Sequence, residues 1–146
     1  MDSVLIPTGQ IAPVEGTPFD FREPHAIGER IGADNQQLRN GGGYDHNWVI
    51  DRKTESGIEQ VATVWEPASG RTIEVLSDQP GLQVYSGNFF DGKSIGKYGK
   101  PQRYRESLAL ETQKFPDSPN HDNFPSTVLR PGETYTQVCI YKFGVK

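Results

Sequence analysis

Apolar and polar positions alternate along much of the chain, and the alternation predicts strands. Residues 61–65 (VATVW) are rich in β-branched and aromatic side chains, and residues 66–70 (EPASG) carry turn chemistry. In residues 72–76 (TIEVL), Ile73 and Val75 share one face and Thr72 and Glu74 the other, so the two runs predict a hairpin. Residues 82–85 and 108–112 read as further strands, and residues 135–143 as a long final one. A 3.6-residue period is nearly absent. The best helical segment is short, residues 26–31, where Ile27 and Ile31 fall on one face. Short strands separated by turns, with few or no long helices, predict an all-β sandwich or barrel. The Gly- and Lys-rich residues 91–105 read as an exposed loop.

Composition adds limits. The chain has 146 residues, enough for one domain with a modest core. Its formal net charge is −4 and its basic residues are scattered, which argues against a nucleic-acid partner and against docking to an anionic membrane. No apolar run approaches the roughly 18 residues of a membrane helix, and the first residues lack a signal peptide's charged start and apolar stretch. The expected setting is cytoplasmic. The single cysteine, Cys139, lies among Val138, Ile140 and Tyr141 and reads as a buried structural thiol.

Three stretches aim polar groups from strand faces. In residues 41–50 (GGGYDHNWVI), Asp45 and Asn47 share a face opposite Tyr44, His46, Trp48 and Ile50. In residues 79–88 (QPGLQVYSGN), Gln83 and Tyr85 oppose Leu82 and Val84. In residues 108–117 (LALETQKFPD), Glu111 shares a face with Ala109 and Gln113, opposite Leu108 and Leu110. A Gln beside a Tyr suits sugar hydroxyls and ring contact, and a partly desolvated Glu is a useful general base. Each stretch also has a plain structural alternative: a glycine-rich turn entering a strand, a solvent-facing strand, and an exposed carboxylate at a strand end. His25, His46 and His121 have no metal-ligand spacing, so no metal is expected. No Walker or Rossmann glycine pattern opens a helix.

Taken together, these stretches resemble the galactose mutarotase (aldose 1-epimerase) family. Residues 5–14 (LIPTGQIAPV) are similar to the family's "LIPTGEIAPV", and residues 16–22 (GTPFDFR) to "GTPFDFR". Residues 44–47 (YDHN), 79–88 (QPGLQVYSGN) and 110–113 (LETQ) resemble "YDHN", "QPGxQxYTGN" and "LETQ", in order and correctly spaced. The resemblance continues through residues 115–121, 124–125, 129–133 and Tyr135. It implies part of a large mutarotase-type β-sandwich, with residues 1–146 forming the C-terminal half. It implies interconversion of the α and β anomers of aldohexoses such as galactose and glucose, with no cofactor. Glu111 matches the family's catalytic base, Asp45 a carboxylate that holds sugar hydroxyls, and Gln83 a position near the sugar.

The family's chain is about twice as long. Its segments resembling "LHGG" and "NHSYFNL", which carry two active-site histidines, correspond to sequence upstream of Met1. No histidine here stands in either context, and His46 reads as structural. The expected partners are therefore a monosaccharide and either the missing N-terminal half or a second copy. YDHN and LETQ look more like the free-hexose branch than the phosphohexose one. The alternatives are a non-catalytic or vestigial carbohydrate-binding fragment and a purely structural β-domain.

Overall fold

The computed structural model describes residues 1–146. The chain forms two compact units: Met1–Asn47 with Gln83–Glu111, and Trp48–Leu82 with Thr112–Lys146. Two short helices, α1 (Ile27–Arg30) and α2 (Gln36–Gly41), precede six strands: β1 (Asp45–Val49), β2 (Glu59–Trp65), β3 (Arg71–Ser77), β4 (Gly81–Tyr85), β5 (Ala109–Gln113) and β6 (Cys139–Val145). The strands form two three-stranded sheets, in the orders β1-β4-β5 and β2-β3-β6. The all-β expectation is borne out.

The second unit contains the predicted hairpin. β2 and β3 pair antiparallel from Trp65 opposite Thr72 to Glu59 opposite Ser77, with a bulge between Gln60 and Ala62. Glu66 holds the connecting turn. Its carboxylate accepts from the Ala68 and Ser69 backbone N–H groups, each at 2.8 Å, and from the Ser69 hydroxyl. These bonds, the Ser69 hydroxyl foremost, hold the Glu66 carboxyl below the usual range. Val75, on the central strand, is fully buried.

β6 pairs antiparallel with β3, Arg71 opposite Val145 and Ser77 opposite Cys139. The strand expected at residues 135–143 therefore starts and ends later. Asp78 explains the start: its carboxylate accepts from the Val138 N–H at 3.1 Å, taking the donor that would extend the ladder. Every residue of β6 is exposed. The expectation of a buried Cys139 is thus corrected, because β6 is an edge strand and nothing in the chain covers its thiol.

In the first unit α1 occupies the expected short helical segment, whereas α2 was not foreseen. Its only buried apolar side chain is Leu38, too little to show a period. Its ends are nonetheless well signalled. The Asn35 side chain accepts from the Gln37 N–H at 2.8 Å, and Gly42 closes the helix in the left-handed conformation. Tyr44 is the most buried aromatic residue of this unit; Phe19 and Phe21 meet it edge-on at 5.7 and 5.4 Å. Residues 91–105 are mostly exposed, as expected, and include a 3-10 turn at Lys97–Gly99.

Candidate active site

α2 ends on three consecutive glycines, and β1 follows directly. The N–H groups of Gly42 and Gly43 bond back to the carbonyls of Arg39 and Leu38, a Schellman-type closure that reverses the chain into Tyr44 and Asp45. Gly43 has φ +143°, and a Cβ there would lie 2.4 Å from Asn88 Oδ1. Only glycine fits at position 43.

Asp45 opens β1, and Gln83 sits in the middle of β4. Ser86 N–H donates to Tyr44 O at 3.0 Å and Ile50 N–H to Pro80 O at 2.9 Å, so β1 and β4 run antiparallel with 44 opposite 86. In that register Asp45 faces Tyr85 and Gln83 faces Asn47, which makes Asp45 and Gln83 diagonal neighbours on one face. Gln83 Nε2 donates to Asp45 Oδ1 at 2.8 Å. An ionised carboxylate only accepts, so this bond sets the amide orientation. Gln83 Oε1 is consequently left buried without a partner. Gln83 therefore holds Asp45 rather than presenting an open amide.

Glu111 occupies the middle of β5, the strand bonded to β4 on the side away from β1. The residues expected from sequence thus come from three neighbouring strands, and all three belong to the first unit. Glu111 is exposed in this chain, which matches the plain alternative of an exposed carboxylate on its strand.

A family model described as Aldose 1-epimerase matches residues 1–142. The chain belongs to the aldose 1-epimerase family. Over 145 residues it is 45% identical to a mouse galactose mutarotase and 38% identical to an Escherichia coli aldose 1-epimerase. These alignments take in 99% and 98% of this chain, but 40% and 41% of the relatives. A solved structure of a GalM/aldose epimerase homologue from Caenorhabditis elegans superposes with a TM-score of 0.78 at 30% identity, covering 99% of this chain and 42% of that one. The chain therefore spans about 40% of the length of the curated relatives it matches.

The histidines of this epimerase-family chain have other occupations. His46 packs against Phe19 at 4.6 Å, and its Nδ1 accepts the Asp45 N–H at 3.1 Å. Burial is the main cause that pushes its imidazole down to about 4, so it is neutral near pH 7. It shapes the backbone at Asp45, in keeping with a structural role. His25 contacts Glu29 at 3.1 Å, and His121 contacts Asp117 at 3.2 Å and the Phe124 ring at 4.8 Å. No group of three or more His, Cys, Asp or Glu side chains is arranged to hold a metal ion. No helix is long and apolar enough to cross a membrane.

Sequence reasoning missed the buried polar group formed by Ser86 and Asn88 beside Tyr44. In the sequence these residues stand out only as the end of the 79–88 motif.

Proposed function

We propose that the chain is the C-terminal, base-bearing portion of an aldose 1-epimerase acting on free aldohexoses such as galactose and glucose. Glu111 takes the proton from the C1 hydroxyl, and the C1 oxygen lone pair forms the aldehyde. The C1–O5 bond breaks while a general acid protonates O5. Rotation about C1–C2 and the reverse steps then give the other anomer. Asp45 accepts hydrogen bonds from sugar hydroxyls through the carboxylate edge that Gln83 leaves open. Gln83 fixes the direction of that edge. The observation that carries this reading is the Asp45–Gln83 bond at 2.8 Å with Glu111 on the next strand of the same sheet.

The general acid belongs to the part of the family's length that this chain does not span, or to a partner that supplies it. The exposure of Glu111 and the occupations of the three histidines both favour that view. The single free cysteine fits a reducing, cytoplasmic setting. The same observations support a second reading, in which the isolated chain binds a monosaccharide without turning it over.

The deciding experiment follows α-to-β conversion of fresh α-D-galactose and α-D-glucose by polarimetry, with Glu111→Ala as control and the spontaneous rate subtracted. A positioned acid or base contributes about 10²–10⁴-fold. Acceleration that Glu111→Ala abolishes supports the epimerase. Saturable galactose binding without acceleration supports the binding fragment. Failure to bind either sugar overturns both.

A further inference from the structure

Behind the Asp45–Gln83 pair lies a closed polar network that joins the end of α2, the start of β1 and the end of β4. Asn88, Ser86 and Tyr44 are all buried. Tyr44 N–H donates to Ser86 Oγ at 3.1 Å. Asn88 Nδ2 donates to Gly41 O at 2.9 Å and to Tyr44 O at 2.8 Å. Ser86 Oγ lies 2.7 Å from Asn88 Oδ1 and 3.0 Å from Tyr44 O. The hydroxyl has one hydrogen to give. Tyr44 O already accepts from Ser86 N–H and from Asn88, so the hydroxyl hydrogen goes to Asn88 Oδ1. Every donor of the Asn88 amide and of the Ser86 hydroxyl is then used.

The network sits where register matters. Tyr44 immediately precedes Asp45, and Ser86 lies three residues after Gln83 on the same chain run. Slipping β1 against β4 by one residue would turn Asp45 or Gln83 to the opposite face. The 44–86 pair is the last one before both strands leave the sheet, and the network locks it with side-chain as well as backbone bonds. It also explains why residue 43 must be glycine, since Asn88 Oδ1 occupies the space where a side chain there would go.

We propose that Asn88, together with Ser86, is a positioning residue that sets the register and the hydrogen bond between Asp45 and Gln83. It touches no substrate. The inference rests on the sugar-site reading above only for its functional meaning, because the geometry is testable without sugar.

The test is side-chain amide NMR on the ¹⁵N-labelled chain, with the Gln83 Nε2 resonances assigned by their loss in Gln83→Glu. The variants are Asn88→Ala, Ser86→Ala and Ser86→Thr, the last of which keeps the hydroxyl. Resonances of the β2–β3 hairpin report that each variant is folded. In folded Asn88→Ala and Ser86→Ala, the Gln83 Nε2 resonances should move toward those of a freely solvated glutamine. In Ser86→Thr they should stay in place. A role confined to stability would lower the folded fraction without moving the folded-state resonances, so unmoved Gln83 signals in a folded variant overturn the proposal. If Asn88→Ala does not fold, Ser86→Ala decides by the same criterion. Galactose titration of the same samples separates the two readings. Loss of one charge-assisted hydrogen bond's worth of organisation should raise the Kd about tenfold. Absence of galactose binding in the unmodified chain would sink the sugar reading, while the Gln83 resonances still decide the positioning role.

Discussion

Replacing Gly43 by alanine puts a methyl group where Asn88 Oδ1 already lies. The backbone there has φ +143°, and the added Cβ would stand 2.4 Å from Asn88 Oδ1 and 2.9 Å from its Cγ. Two costs follow. An L-residue forced into this glycine region loses about 2 kcal/mol to backbone strain. Asn88 is buried and cannot swing into solvent, so relieving the clash sacrifices its bonds to Gly41, Tyr44 or Ser86, at about 1 kcal/mol each. The expected loss is about 3–5 kcal/mol, a large share of the roughly 5–15 kcal/mol that holds an ordinary domain. Gly16→Ala is the control: its φ is +71° and nothing lies within 4 Å of the added Cβ, so only backbone strain of about 1 kcal/mol is due. Urea denaturation followed by tryptophan fluorescence and circular dichroism measures both. If Gly43→Ala costs no more than Gly16→Ala, Asn88 is not wedged where described and the account of Gly43 fails.

Glu111→Gln should leave stability within about 0.5 kcal/mol, because the side chain is exposed, while any anomerisation above background disappears; urea melts and polarimetry on one preparation check both. For His46, burial depresses the folded-state pKa from 6.5 to about 4, so the unfolded chain binds the extra proton between those values. Stability should therefore be intact above pH 6.5 and fall as the pH drops toward 4, by at most about 3 kcal/mol, and His46→Gln should flatten that slope in urea melts at pH 7, 6, 5 and 4. Cys139, exposed on β6, should react with Ellman's reagent in the native chain about as fast as in urea, and a partner that covers β6 should slow it.

Side-chain alternation was enough to foresee the β2–β3 hairpin, because Ile73 and Val75 fall on one face and the 66–70 turn carries its own chemistry. It was not enough for α2, where Leu38 is a lone apolar residue and the helix is defined by Asn35 and Gly42 at its ends. Nor did it locate the start of β6, which depends on a carboxylate 60 residues away capturing the Val138 N–H. Apolar neighbours suggested a buried Cys139; they show that a strand face favours cover, not that this chain provides it. For the site, alternation put Asp45, Gln83 and Glu111 on polar faces one strand at a time. The strand order β1-β4-β5 that makes them neighbours has no local signature, because it joins segments far apart in sequence. The resemblance to the family, not the period, singled out these three residues. The Ser86–Asn88 network was illegible because its acceptors are backbone carbonyls, which no sequence displays.

The pairing of β3 with β6 has a kinetic side. Glu74 and Lys142, joined across it at 2.9 Å, are 68 residues apart, whereas β3 meets β2 through a short turn. The hairpin can form in about 1–10 μs, but its second partner must arrive by closing a long loop. Until then β3 offers an open edge that the β6 of a neighbouring molecule fits as well as its own. The contact that completes the second unit is therefore also a route to strand-swapped dimers, favoured when the chain refolds at high concentration and suppressed when it refolds dilute.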